Sequence, residues 1–552
     1  AYETNKEWKP AETKLNIIQN SIYGVDIEKG AVDIARLRFW LSLVVDEEKP
    51  KALPNLDYKI VVGDSLLSKF DGEIVEIDWG RKSSVGKADD YVKNVQKFLV
   101  EVADKQKKYF NPNHTNKKKL QTEIRNLKIE LLINQLSFNK ELYISKTVQK
   151  GGFMPTASDI QHNTERELKI ASFNILISKL KNLLKNSNEP FNHFDWKLDF
   201  PEVLNPYIVN GKGGFDIGIG NPPYITYKGK EIINISDYEV KKLIESYPNS
   251  AEYKVNSYAL FTDKSVNLLT VNGTLSFIIP STILQNEYLK KIREYLITNY
   301  HISQIVSFAN KVFEAVTDSI IFFVRNKYSK VLETKAIRKN NLDFSLFEEL
   351  KIYTQAKWDD KETGYVINLK TTNQEDEILD NIQFQSNFID DYLEVYVGIV
   401  ANGIKKFLSH SKVDTKHKKY LQGKHIGNFE IKPDSLFINF LKEQLHSNTD
   451  ESVYLQKEKI LVRKTGNRLI AALDSEQYYT DQSIYNLYPK KDNLANLKII
   501  TGLLNSKLLE YYFNKKMITN PDVFPYIKGI HLKKLPLKFP KSKTDEMKFE
   551  AI

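Results

Sequence analysis

Phe215-Asp216-Ile217-Gly218-Ile219-Gly220-Asn221-Pro222-Pro223-Tyr224 is the stretch around which the rest of the chain is organised. Its first half is a short apolar run ending in glycine, the pattern of a buried strand that stops at a tight loop. Asn-Pro and Pro-Pro are common loop punctuation, so a plain turn is the simplest reading of the second half. Its place directly after a strand adds a second meaning. Open α/β sheets bind their ligands just beyond the carboxyl ends of strands.

The residue types suit one kind of chemistry. An exocyclic amino group on a base is a poor nucleophile, because its lone pair is delocalised into the ring. Two acceptors aimed at its N–H bonds draw the nitrogen toward tetrahedral geometry and free that lone pair. The Asn221 side-chain oxygen is one candidate acceptor and the Pro222 carbonyl the other. Proline has no N–H and a fixed φ, so the pair of prolines holds the carbonyl rigidly. Tyr224 supplies an aromatic face for a base flipped out of its stack. The loop resembles the catalytic motif of amino-group DNA methyltransferases that use S-adenosylmethionine (SAM).

Upstream, Ser21 to Ile27 reads as a strand, and Ala31 to Leu41 as a helix with apolar residues at helical spacing. Asp26 stands at that strand's end, where Rossmann-like folds bind ribose hydroxyls; a helix cap is the plain alternative. A second strand, Tyr58 to Val62, ends in Gly63-Asp64-Ser65-Leu66. Asp64 is placed to accept from an adenine amino group, or to make a turn. Two strand-end carboxylates followed by the Asn-Pro-Pro-Tyr loop, in that order, are the pattern of Rossmann-like methyltransferases.

Residues 80–190 interrupt the alternation. Leu120, Ile124, Leu127 and Leu131, and again Phe173, Leu176, Leu180 and Leu183, predict two long helices joined near Lys150-Gly151-Gly152. Asn256 to Phe261 opens a further helix. A turn at Asn272-Gly273 leads to a strand over 274–280, and two more strands follow between His301 and Val324. Between those two lies Val312 to Asp318, with Phe313. From 330 to 385 the pattern is polar, the expected end of the first domain and a connection. Beyond 386, short β-like runs over 399–404, 421–429, 460–463 and 469–473 alternate with glycine turns, and one helix is expected over 497–513.

Taken together, the chain resembles type IIG-like N6-adenine DNA methyltransferases of restriction–modification systems over nearly its whole length. Ile22 to Ile27 and Gly220 to Tyr224 carry the likeness. Tyr420 to Lys424, Lys459 to Gly466 and Leu503 to Lys507 resemble their target-recognition domain. The resemblance implies an α/β fold: a Rossmann-like SAM-dependent methyltransferase domain (1–79 and 191–385) with a helical insertion (80–190), then an α/β target-recognition domain (386–552). It implies Asn221, Pro222 and Tyr224 as catalytic, and Tyr224 with Phe313 as the walls of the base pocket. It implies Asp26, Ile27, Asp64, Ser65 and Phe261 as cofactor-binding, SAM as cofactor, and double-stranded DNA with a flipped adenine as partner. Two family features are missing. The Gly-rich cofactor loop normally sits one strand before the ribose carboxylate, and nothing upstream of Asp26 provides it. A nuclease domain, often N-terminal in the family, is not evident either. With Ala rather than Met at position 1, the expectation is a fragment whose absent N-terminal part could carry the nuclease domain and hence endonuclease activity. Such a piece is expected to bind SAM weakly, not to methylate DNA alone, and to leave a sheet edge and an apolar flank uncovered.

Composition sets outer bounds. The chain has 552 residues, no Cys and a net charge of +10. Disulfides and thiolate metal sites are excluded, a cytoplasmic (bacterial) setting suits the absence of Cys, and a polyanionic partner fits the charge. No apolar run is long enough for a membrane span, and the nine His form no metal-binding pattern. The competing readings are a DNA-specificity protein without catalysis, which has no need of residues 221–224, and a methyltransferase acting on RNA or on cytosine N4.

Overall fold

The computed structural model describes residues 10–45, 56–81, 87–110, 115–145, 157–209, 213–227, 235–308, 318–327, 332–339, 350–361, 363–369, 371, 373–401, 403–466, 468–491, 496–517 and 527–539. The chain divides into two units, Ala1–Val366 and Ile367–Ile552.

The first unit opens with α1 (Pro10–Ser21), β1 (Gly24–Asp26), α2 (Lys29–Val44) and β2 (Ile60–Val62). The two strands pair in parallel, Asp26 opposite Val62. Val32 and Leu43 of α2 pack on Ile18, Leu56 and Ile60. Arg36 pins helix to strand: its guanidinium donates to the Ile60 carbonyl at 2.6 Å and pairs with Asp57 at 3.2 Å.

Three long helices follow, not two: α3 (Lys87–Phe110), α4 (Lys117–Ser145) and α5 (Ala157–Lys185). The Lys150–Gly152 joint lies outside the described residues. The signal for α3 was present in Val92, Val95, Leu99 and Val102, which recur at helical spacing and are all buried. Its first turn carries Asp89 and Asp90 and its last Lys107 and Lys108, both favourable to the helix dipole. Leu99, Leu131, Leu132, Phe173, Leu176 and Leu180 make one shared core.

Next come β3 (Phe215–Gly220), α6 (Asp237–Ser246), α7 (Ser257–Asn267), β4 (Leu269–Pro280), α8 (Lys290–Asn299), β5 (His301–Phe308), β6 (Ser319–Arg325), β7 (Glu333–Lys339) and β8 (Leu350–Thr354). They form a six-stranded mixed sheet in the order β8-β7-β5-β6-β4-β3. β3 and β4 are parallel, as are β5 and β7, while β6 lies antiparallel between β4 and β5. Two expectations are corrected here. Asn272-Gly273 is no turn between elements, because β4 runs through it. Asn272 takes φ +65°, which Asn tolerates, and opposite it the β3 register slips between Phe215 and Ile217. A side chain on Gly273 would lie 2.7 Å from the Phe215 carbonyl. Nor is 330–366 a connection: β7 and β8 extend the sheet. Glu333, Lys335 and Arg338 of β7 are exposed, so the strand looked too polar.

β1 has β2 as its only strand partner, and β3 has only β4; their other edges carry no strand among the described residues. Ile217 and Ile219 of β3 are 74% and 84% exposed, and Ile27, Ile34, Leu37 and Leu41 on and before α2 are also exposed.

The second unit begins earlier than 386. Helix α9 (Asn373–Gln383) contributes Leu379 to its core, beside Ile389, Leu393 and Leu487. One antiparallel sheet contains β9 (Leu393–Val397), β12 (Lys459–Arg463), β13 (Ala471–Asp474) and β14 (Ile484–Pro489), in the order β9-β14-β12-β13. A second is built on β10 (His417–Leu421) and β11 (Phe437–Asn439) with the short strands 408–409 and 479–480. The helix expected over 497–513 is two, α10 (Leu497–Leu504) and α11 (Lys507–Tyr512). Asn505 breaks it by holding both backbone groups of Ala471, and Ser506 caps the new start through the Leu509 N–H.

Candidate functional site

The Asn221–Tyr224 loop leaves the carboxyl end of β3, as its sequence implied. Asn221 is exposed, and neither its carboxamide nor the Pro222 carbonyl has a hydrogen-bond partner among the described residues. Two strong acceptors are therefore left free side by side. Tyr224 is half-buried and held from two sides. Its hydroxyl donates to the Ile278 carbonyl of β4 at 3.1 Å, and the Tyr258 ring meets it edge-on with centroids 6.2 Å apart. Burial pushes its phenol pKa up, with a smaller opposing effect from Ser319. An aromatic plane fixed in this way can serve as a platform for a planar ligand.

The chain beyond the loop pairs with the entry to α7. Thr226 bridges Asn256 in antiparallel fashion, Ser257 N–H donates to the Ile225 carbonyl at 2.9 Å, and Tyr227 N–H donates to the Val255 carbonyl at 2.9 Å. The Ser257 hydroxyl donates to the Pro223 carbonyl and accepts from Ile225 N–H at 2.9 Å. Sequence reasoning recognised that a helix opens here but assigned Ser257 nothing.

Asp26 and Asp64 stand at the carboxyl ends of adjacent parallel strands, joined where Gly63 N–H meets the Asp26 carbonyl at 2.9 Å. Asp26 Oδ1 accepts from Glu28 N–H at 2.8 Å, a local turn before α2 and not the expected helix cap, because Glu28 holds the cap position and makes no side-chain capping bond; Asp26 Oδ2 has no partner among the described residues. Ile27 beside it is 67% exposed. Asp64 is more committed. Oδ1 accepts from Leu66 and Leu67 N–H, and Oδ2 pairs with Lys69 at 3.0 Å, whose ammonium also meets Glu239 at 2.6 Å. The Ser65 carbonyl accepts from the Trp196 indole at 3.0 Å. Phe261 of α7 packs, partly buried, on the cluster of Leu66, Leu67, Tyr247 and Leu260.

The Asp64 turn and the Asn221–Tyr224 loop converge. Tyr227 packs on the same cluster as Phe261, and its phenol pKa is raised by burial first and by the Asp64 charge second. Helix α7 thus touches both, Ser257 at the loop and Phe261 behind the turn. Phe313 lies outside the described residues.

In the second unit, 405–468 holds 14 Lys and Arg against 7 Asp and Glu. Lys405, Lys406, Lys412 and Lys416 are exposed, with no acidic partner among the described residues. Others are paired, such as Lys419 with Glu476 and Lys424 with Asp434. No described helix is long and apolar enough to cross a membrane.

Residues 20–313 match the family described as Eco57I restriction-modification methylase, and residues 418–537 match the TaqI-like C-terminal specificity domain. Among curated relatives, the putative type II restriction enzyme and methyltransferase RM.MjaORFECS2P of Methanocaldococcus jannaschii is 25% identical over 98% of this chain. The chain spans 46% of that relative's length. The type II methyltransferase M.HincII of Haemophilus influenzae is 22% identical over 60% of this chain and 77% of its own. Among solved structures, the type IIL restriction-modification enzyme MmeI in complex with DNA overlaps 84% of this chain and 69% of its own at 12% identity, with a TM-score of 0.40.

Proposed function

Because the chain belongs to the Eco57I restriction-modification methylase family, we propose that it transfers a methyl group from SAM to N6 of an adenine flipped out of double-stranded DNA. The observation that carries this is the pair of acceptors at Asn221 and Pro222, which have no partner among the described residues, beside a fixed aromatic plane. Bound SAM supplies an electrophilic methyl group on a sulfonium. The chain's own part is positional. The Asn221 oxygen and Pro222 carbonyl accept the two amino N–H bonds and turn the nitrogen lone pair outward. Tyr224 stacks on the ring, and Phe313 is its proposed counterpart. Asp26 Oδ2 suits the ribose diol, and Ile27, Ser65 and Phe261 suit the adenosine. Asp64 retains acceptor sites for the adenine amino group despite its bond to Lys69. We read the two sheets of the first unit as parts of one Rossmann-like methyltransferase sheet. The second unit is the proposed reader of sequence, with its free lysines on phosphates.

The test is Asn221→Ala in the full-length protein, with labelled SAM and unmodified genomic DNA. Methyl transfer is expected to fall at least about a hundredfold, the usual cost of losing one preorganised polar contact to a reacting centre. DNA binding in a gel-shift assay should be kept. Near-normal transfer would remove the loop from the chemistry, and mass spectrometry showing N4-methylcytosine alone would replace adenine as the target.

A further inference from the structure

We infer that Ser257 is a positioning residue for the catalytic loop, holding the Pro222 carbonyl in its reacting direction by clamping the next carbonyl along. The inference rests on the catalytic reading of residues 221–224.

Ser257 is 0% exposed and is the first residue of α7. A Ser or Asn at a helix start normally caps its own helix. Here neither polar side chain does so. Asn256, at the cap position, makes no side-chain capping bond and instead accepts from the Thr226 hydroxyl at 3.0 Å. Ser257 directs its hydroxyl backward, donating to the Pro223 carbonyl and accepting from Ile225 N–H. The helix start forgoes capping worth about 1 kcal/mol and places both groups on one loop. A fold that needed only a stable helix would do the reverse.

The backbone explains what such a clamp achieves. The Pro222–Pro223 peptide is planar, and the Pro223 ring locks φ. One soft torsion, ψ of Pro223, therefore separates the Pro222 carbonyl from the Pro223 carbonyl. With the second pinned, that torsion is the one local freedom left to the first. The bond from Ile225 N–H to the Ser257 hydroxyl holds the chain on the far side of Tyr224, so the residues on both sides of Tyr224 are referred to one buried atom. Asn221 and Pro222 keep no partners of their own among the described residues. Their aim consequently depends on their neighbours.

The experiment compares Ser257→Ala, Ser257→Thr and Asn221→Ala in the full-length protein. Ser257→Ala is expected to lower kcat by roughly 10- to 100-fold, the scale of a misplacement of about 1 Å. KM for SAM and for DNA should stay within about twofold, and Ser257→Thr should recover most of the rate because it keeps the hydroxyl. Hydrogen exchange should speed up at the Ile225 amide while the middle of α7 stays protected. If Asn221→Ala is inactive and Ser257→Ala keeps full kcat, the clamp is refuted. A Ser257→Ala variant that loses affinity for SAM or DNA in proportion to rate also refutes it. If Asn221→Ala stays active, the loop reading itself fails. Should Ser257→Ala not fold, Ser257→Cys fills the space with a weak donor and is held to the same criteria.

Discussion

Removing Asp474 should unfold the second unit more readily than any nearby surface change. Lys459 and Asp474 face each other across β12 and β13 and are both 0% exposed, with Nζ to Oδ2 at 2.5 Å. Asp474 also accepts from Glu476 N–H at 2.8 Å and Tyr478 N–H at 3.0 Å, whereas Lys459 has in addition, among the described residues, only the Tyr454 carbonyl at 2.9 Å. Asp474→Ala strands a buried ammonium and two backbone donors. Breaking such a pair costs about 3–5 kcal/mol. At about 2–4 °C per kcal/mol for a unit of this size, the melting temperature should fall by roughly 6–20 °C. Lys459→Met leaves Asp474 its two backbone donors and should cost less, about 1–3 kcal/mol. Lys459→Met with Asp474→Leu should recover much of the loss. Burial holds the Lys459 pKa below its ordinary value, so the folded state releases its proton before the unfolded state does. Stability of Asp474→Ala should therefore rise with pH through the alkaline window below 10.5. All five Trp lie in the first unit, so fluorescence follows that unit alone, while exchange of the β12 and β14 amides follows the second. An Asp474→Ala cost under about 1 kcal/mol, or a larger cost for Lys459→Met, would refute the reasoning.

His531 gives a second titration. Burial, then Lys528 and Lys534, lower its pKa from 6.5 to about 4, so the unfolded chain binds the extra proton first; the second unit should lose stability as pH falls from 6.5 through 4, and His531→Gln should flatten that slope in urea titrations. Asp26→Asn keeps an acceptor for the Glu28 N–H but loses the charge; calorimetry should show SAM affinity down about tenfold or more with the melting temperature unchanged, and an unaltered Kd would free Asp26 of its proposed ribose role. Replacing residues 386–540 by those of a relative should move the methylated site without altering the atom methylated, as sequencing of modified DNA would show; retention of the old site would place recognition elsewhere.

The parts legible in the sequence were those where one local rule dominated. The apolar run before Asn221 and the periodicity of α2, α4 and α5 each predicted an element that the structure contains. β7 was not legible, because three of its seven residues face water and their polarity mimics a loop. The continuity of β4 through Asn272-Gly273 was hidden for a different reason: the dipeptide is turn chemistry, and only pairing with both β3 and β6 turns it into a bulge. The break after Leu504 depends on Asn505 reaching Ala471, a contact 34 residues away. Ser257 was missed because a serine at a helix start already has a sufficient local explanation, and only the position of its hydroxyl contradicts that explanation.

The open edge of β3 has a practical consequence for anyone handling the protein. Among the described residues no strand pairs with the outer edge of β3, and Ile217 and Ile219 are turned to water, so that edge is a template for a further strand, including one from another copy. Concentrated solutions of the chain should form sheet-extended oligomers that scatter light increasingly with concentration and bind amyloid-type dyes. Ile219→Lys places a charge on that strand, separated by only one residue from Asn221, the proposed acceptor for the amino group. The change that would best keep the protein in solution therefore sits where activity tolerates it least.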